Sequence, residues 1–232
     1  MSARDEILAH IREALGTDAV QESRPVGAPV QGSRPVGSHP QEMTPEGAPE
    51  STGYRTDSGL GEDALVELLV DRLEDYKARV EVVPRSEVAA AIRARLEGKE
   101  FVAPEGFPAE WLDPSLAERA VKDSREAPLA VVHLDGLEAV VTSSAVSIAE
   151  TGTIVLDGSP DQGRRAISLV PDHHVCVVPV ETIVGIVPEG FARLDVTRPL
   201  TLISGPSATS DIELERVEGV HGPRTLDVII AR

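Results

Sequence analysis

The chain has 232 residues, 39 acids against 22 bases and a formal charge of −17, with a sequence pI of about 4.7. Such a balance repels polyphosphate and argues against a nucleic-acid partner. Apolar residues make up 41% and aromatics only 3%, so any core must pack through Val, Leu, Ile and Ala. The single cysteine, Cys176, excludes an intrachain disulfide and a cluster held by four thiolates of this chain. Its strand-like setting reads as a core thiol. No apolar run approaches bilayer length, and the polar start Met1-Ser2-Ala3-Arg4-Asp5-Glu6 does not resemble a signal peptide. A cytoplasmic chain without a membrane span is expected.

Residues 1–16 predict an amphipathic helix, with Ile7, Leu8, Ile11 and Leu15 on one face and Gly16 as its stop. Residues 17–58 lose that pattern. Gln21 to Val30 is nearly repeated from Gln31 to Pro40, and a degraded copy follows to Glu50. A Pro/Gly repeat with no apolar face builds no core and reads as a flexible linker. A folded α/β domain is expected over 59–232.

Leu65, Leu68, Leu69, Leu73 and Tyr76 predict a helix, and residues 80–83 a strand. Val88, Ile92 and Leu96 mark a second helix, stopped by Gly98, before a strand at 101–103. This alternation predicts a mainly parallel sheet covered on its faces. Residues 104–128 are rich in Pro and charge and carry no assignment, although Trp111 should pack. Residues 129–134 fit strand or helix. Strands are expected at 138–142, 153–156, 174–178, 200–203 and 225–230. A short connection, helical at most, is expected from Ser143 to Glu150. A helix should start near Glu181, weakened by Gly185 and Pro188.

Three turns follow strands, where α/β proteins place binding groups. In Ser143 to Thr153, Glu150 and Thr151 stand beside Gly152, which admits positive φ; Glu150 could face a ligand or close a capping box with Ser147. From Gly205 to Glu213, Ser207 and Thr209 could hold an anion, while Asp211 and Glu213 oppose a highly charged one. A neutral or singly charged group suits that loop, or a metal bridging the carboxylates; Ser210 to Glu213 is also a plain capping box. In Gly219 to Pro223, His221 is a candidate acid/base or a turn strut. The pair His173-His174 chelates poorly, because adjacent strand residues face opposite ways. Arg164 and Arg165, after the turn at Gly158, could hold a carboxylate or phosphate, or begin a solvated helix.

Taken in order, Ile148-Ala149-Glu150-Thr151-Gly152-Thr153-Ile154-Val155-Leu156, Gly205-Pro206-Ser207-Ala208-Thr209-Ser210-Asp211-Ile212-Glu213 and Gly219-Val220-His221-Gly222-Pro223 resemble the signature of the LUD domain family. The likeness covers roughly residues 60–230, and the repeat from 21 to 50 departs from it. It implies a three-layer α/β/α fold like that of sugar-phosphate isomerases and CoA transferases. It implies a part in oxidising L-lactate to pyruvate beside two iron–sulfur partner proteins, with no cofactor or metal in this chain. On that reading the chain is a non-cluster subunit, possessing a pocket for a small carboxylate or phosphate-like ligand. Glu150 and His221 are its candidate catalytic residues; Thr151, Gly152, Gly205, Ser207, Thr209, Asp211 and Glu213 are its candidate ligand contacts. Two alternatives stand beside it. One is an autonomous CoA-transferase-like or isomerase-like enzyme with Glu150 as nucleophile, where Thr151 replaces that family's usual asparagine. The other is a ligand sensor without catalysis. All three need the three turns to converge on one crevice.

Overall fold

Helix α1 (Glu62–Asp75) carries Val66, Leu69 and Leu73 at helical spacing, and all three are buried. Glu62 and Asp63 sit in its first turn, where the helix dipole favours negative charge. The chain leaves the helix through Lys77, which adopts φ 71°. The computed structural model describes residues 53–207 and 222–232. These all fall within one compact unit, Gly53–Arg232. The helix expected at 1–16 and the linker as far as residue 52 lie outside the described residues. Ser58 is half-buried, and its backbone N–H donates to Glu189 at 2.7 Å.

After α1 come β1 (Arg79–Val83), α2 (Val88–Leu96), β2 (Phe101–Pro104), α3 (Pro114–Arg119), β3 (Val121–Asp123), α4 (Val131–Asp135) and β4 (Ala139–Ser143). A hairpin of β5 (Val146–Ile148) and β6 (Thr153–Leu156) follows. Then come β7 (His173–Pro179), β8 (Ile183–Val184), α5 (Val187–Ala192), β9 (Thr201–Ile203) and β10 (Thr225–Ala231). Six strands form an all-parallel sheet in the order β1-β10-β7-β4-β2-β3. A small mixed sheet runs β8-β5-β6-β9.

Strands β4 and β7 are buried along their whole length, as expected of inner strands of a parallel sheet. Their alternation sorts the core. Val141, Val175, Val177 and Ile229 face α2 and α3 together with Phe101, Trp111 and Leu116. Cys176, Val178, Val228 and Ile230 face α1 and the small sheet, against Leu69, Leu73 and Ile154.

Two expectations change, and two stretches left open are resolved. The Ser143–Glu150 connection contains a strand, β5, because β6 and β8 pair with it on both sides. The region from 181 opens with a short 3-10 turn and β8, and the helix begins only at Val187. Pro188 sits in its first turn, where a missing N–H costs nothing. Glu189 reaches back to accept from the N–H groups of Gly185 (2.6 Å) and Ile186 (3.1 Å). These donors, with that of Ser58 foremost, hold its carboxyl well down, at about 2. Finally, 131–135 is helical and the Pro-rich stretch hides α3 and β3; Pro114 and the Asp113 cap, which accepts from the Ser115 N–H at 3.0 Å, start that helix.

Candidate functional site

Strand β9 is the outer strand of the small sheet, and Ser204-Gly205-Pro206-Ser207 leaves its end. Gly205 turns at φ 84°, and a Cβ there would lie 2.5 Å from that of Tyr76. Only glycine lets this turn press against the end of α1. The Ser207 N–H donates to the carbonyl of Pro223 at 2.8 Å. The described ends of the second and third sequence motifs, 205–207 and 222–223, are thereby joined.

Together they border a hollow of about 520 Å³. Ser204, Gly205, Ser207, Gly222 and Pro223 line it on one side, and Arg165 and Ser168 also contribute. His174 and Leu226, near the amino ends of β7 and β10, reach it from the main sheet.

The first motif joins less directly. The Thr151 hydroxyl lies 2.8 Å from that of Thr153, which lies 2.9 Å from that of Ser204. This hydroxyl chain ties the β5–β6 turn to the rim. Gly152 has φ 59°, and a Cβ there would stand 2.8 Å from that of Arg72, so it seats the turn on α1. Glu150 does not line the hollow. Its half-exposed carboxylate pairs with Arg55, while its N–H donates to the Gly185 carbonyl at 2.9 Å. Thr209, Asp211, Glu213 and His221 lie outside the described residues.

Two neighbouring histidines differ in role. His174 is buried, its Nε2 2.8 Å from the Thr142 hydroxyl. Loss of water, with His173 close by, lowers its pKa to about 3, so the ring is neutral. His173 faces the other way. Lys99 Nζ lies 2.7 Å from its Nδ1. An ammonium can only donate, so Nδ1 accepts and Nε2 carries the proton that meets Asp227 at 2.5 Å. Burial raises the Asp227 carboxyl, but His173 and Arg79 outweigh it and the net shift is downward. The two rings lie on opposite faces of the main sheet, as alternation along a strand requires. Among the described residues no group of three or more His, Cys, Asp or Glu side chains is arranged to hold a metal ion.

Cys176 is fully buried, which pushes its thiol up to about 12. It is a core residue, far from the thiolate state that metals and electrophiles need. The arginine pair also separates. Arg164 grips the buried Asp123 through Nε at 2.9 Å and through Nη2, which also donates to the Leu129 carbonyl at 3.1 Å. Arg165 is exposed and reaches the hollow.

From sequence, His174 is weighed only as a poor chelator and Ser204 is not singled out. For His174 a signal existed: alternation along 173–178 puts it on the face opposite His173. Ser204 stood one residue before the motif and carried no separate signal.

With this geometry in place, the LUD domain family matches residues 66–231. A lactate utilization protein C from Deinococcus radiodurans is 45% identical over 182 residues, covering 76% of this chain and 84% of that protein. One from Bacillus velezensis is 29% identical over 198 residues, covering 73% and 79%. A solved structure of a DUF162 family protein from D. radiodurans superposes with a TM-score of 0.63 at 38% identity, covering 75% of this chain and 99% of that one. Among the described residues no helix is long and apolar enough to cross a membrane. The chain belongs to the LUD domain family.

Proposed function

We propose that this protein is the non-cluster subunit of an iron–sulfur system that oxidises L-lactate to pyruvate in the cytoplasm. The carrying observation is its 45% identity to a lactate utilization protein C across 84% of that protein. The buried, protonated Cys176 supports a subunit that leaves the clusters to its partners. The three-layer α/β/α frame of sugar-phosphate isomerases and CoA transferases is the finer fold we infer, supported by helices α2 and α3 on one sheet face and α1 on the other.

The hollow is the ligand site in this reading. Ser204 and Ser207 offer polar contacts beside Gly205, and the neutral His174 offers a ring that stays uncharged at neutral pH. Thr151 and Gly152 shape its rim. His221, next in the chain to Gly222, is the proposed acid/base group, and Thr209, Asp211 and Glu213 belong to the same motif. The ligand is a small carboxylate or phosphate-like molecule. A CoA-transferase-like reaction through Glu150 is less well supported, because that carboxylate pairs with Arg55 outside the hollow.

The test is reconstitution. Cluster-bearing partner proteins are assayed for lactate-dependent dye reduction with and without the full chain. Reduction should need the chain, and the chain should co-purify with those proteins. Full activity in its absence, together with no association, removes the reading.

A further inference from the structure

Fourteen arginines fall among the described residues, and ten of them pair with a carboxylate. In a chain with 39 acids to 22 bases, pairing is the expected state. The exceptions are informative. Arg119 and Arg193 lie apart and donate to the carbonyls of Lys99 (2.6 Å) and Glu181 (2.9 Å). Arg125 and Arg165, by contrast, both line one cavity of about 240 Å³ in which no carboxylate side chain is found among the described residues.

Arg125 donates once, to the Gly158 carbonyl at 3.1 Å, and keeps its remaining donors. Arg165 forms no ion pair among the described residues. Two guanidinium groups sharing one cavity repel each other, and an incoming anion relieves that repulsion while accepting from both.

The cavity is firmly built. Arg164, between Gly163 and Arg165, is locked on the buried Asp123. The Gln162 side chain accepts from the Asp157 N–H at 2.6 Å, and the Gly163 N–H donates to the Ser159 carbonyl at 2.9 Å. Gly158 has φ 70°, and a Cβ there would stand 2.9 Å from the Arg125 guanidinium, so glycine makes room for it. On the far side Ser168 donates to the Arg165 carbonyl at 3.0 Å. A loop so tied presents its arginine without having to order it on binding.

We propose that Arg125 and Arg165 form a binding site for a compact oxyanion, a short-chain carboxylate or inorganic phosphate. The cavity is smaller than the roughly 300–1,000 Å³ of pockets that take drug-sized ligands, which restricts the guest to a few heavy atoms. It shares Arg165, Ser168 and Thr201 with the larger hollow, so the two are neighbours. The inference deepens the ligand-binding part of the function proposed above and rests on it, but it adds residues outside the motif loops.

The test is calorimetric titration of the full chain with L-lactate, pyruvate and inorganic phosphate in separate arms at constant ionic strength. One arm should saturate at one ligand per chain. Its affinity should fall about ten- to a hundredfold in Arg125→Gln and in Arg165→Gln, the loss of a charge-assisted contact. Arg125→Lys should recover the affinity only in part, because ammonium lacks the planar fork. Melting without ligand should stay unchanged in Arg165→Gln, and fall only slightly in Arg125→Gln, which loses the exposed contact to the Gly158 carbonyl. The proposal is overturned if no arm saturates, or if both Gln variants bind as the parent does. Co-purification with the cluster proteins is scored separately. A chain that co-purifies but binds no anion loses this site and keeps the subunit role; one that binds the anion through both arginines but never co-purifies loses the subunit role and keeps the site.

Discussion

The two faces of the main sheet treat neighbouring residues in opposite ways. Toward α2, His173 belongs to a charged cluster with Asp227, Lys99, Arg79 and Arg95. Toward the small sheet, His174 stands neutral among Thr142, Cys176 and the wall of the hollow. The same side chain therefore serves as a strut on one face and as part of the hollow's wall on the other. Burying a polar ring beside charge needs a partner of opposite sign: Asp227 supplies it to His173, whereas His174 meets the Thr142 hydroxyl.

The largest expected effect breaks the charged face. Asp227→Ala leaves His173 and Arg79 without their buried partner and should cost about 3–5 kcal/mol, read from urea unfolding. A loss below 1 kcal/mol would mean the cluster is solvated in practice.

Next comes the neutral face. His174 has a folded pKa of about 3, below its unfolded value of about 6.5. The unfolded chain therefore binds more protons between these values, and stability present above pH 6.5 is lost as pH falls. Lowering the pH from 6.5 to 5 should remove about 2 kcal/mol more from the parent than from His174→Leu. Parallel pH profiles of parent and variant would mean that the folded ring titrates as the unfolded one does.

A third change sharpens the comparison at the mouth of the hollow. Gly205→Ala places a Cβ 2.5 Å from that of Tyr76 at φ 84°. It should lower stability by about 1–3 kcal/mol through backbone strain and displacement of the turn. The smallest effect lies outside both faces. Glu150→Gln removes an exposed pair with Arg55 and should shift unfolding by less than about 1 kcal/mol. A larger loss would give Glu150 a structural role that its exposure does not suggest.

Much of this architecture was readable before any coordinates. The runs Val175–Val178 and Val228–Ile230 have the composition of strands buried on both sides, and Leu69 and Leu73 carry a helical period. Strand β5 was hidden because three residues with a serine at the centre make no pattern; its partners β6 and β8 define it. Helix α5 was misplaced because Pro188 reads as a breaker until its position in the first turn is known. At the site, Gly205 and Ser207 stood out through turn composition. The distance of Glu150 from the hollow did not, because a hairpin turn has two sides and packing on Arg72 selects one.

Sequence alone determined the alternation along each strand and the acidity of the whole chain, since both depend on residue order and identity. Tertiary structure decided what each neighbour meets. Arg164 finds Asp123, forty-one positions earlier in the chain, while Arg165 finds none among the described residues. That choice arises from strand register and loop closure, which join residues whose separation along the chain carries no local trace.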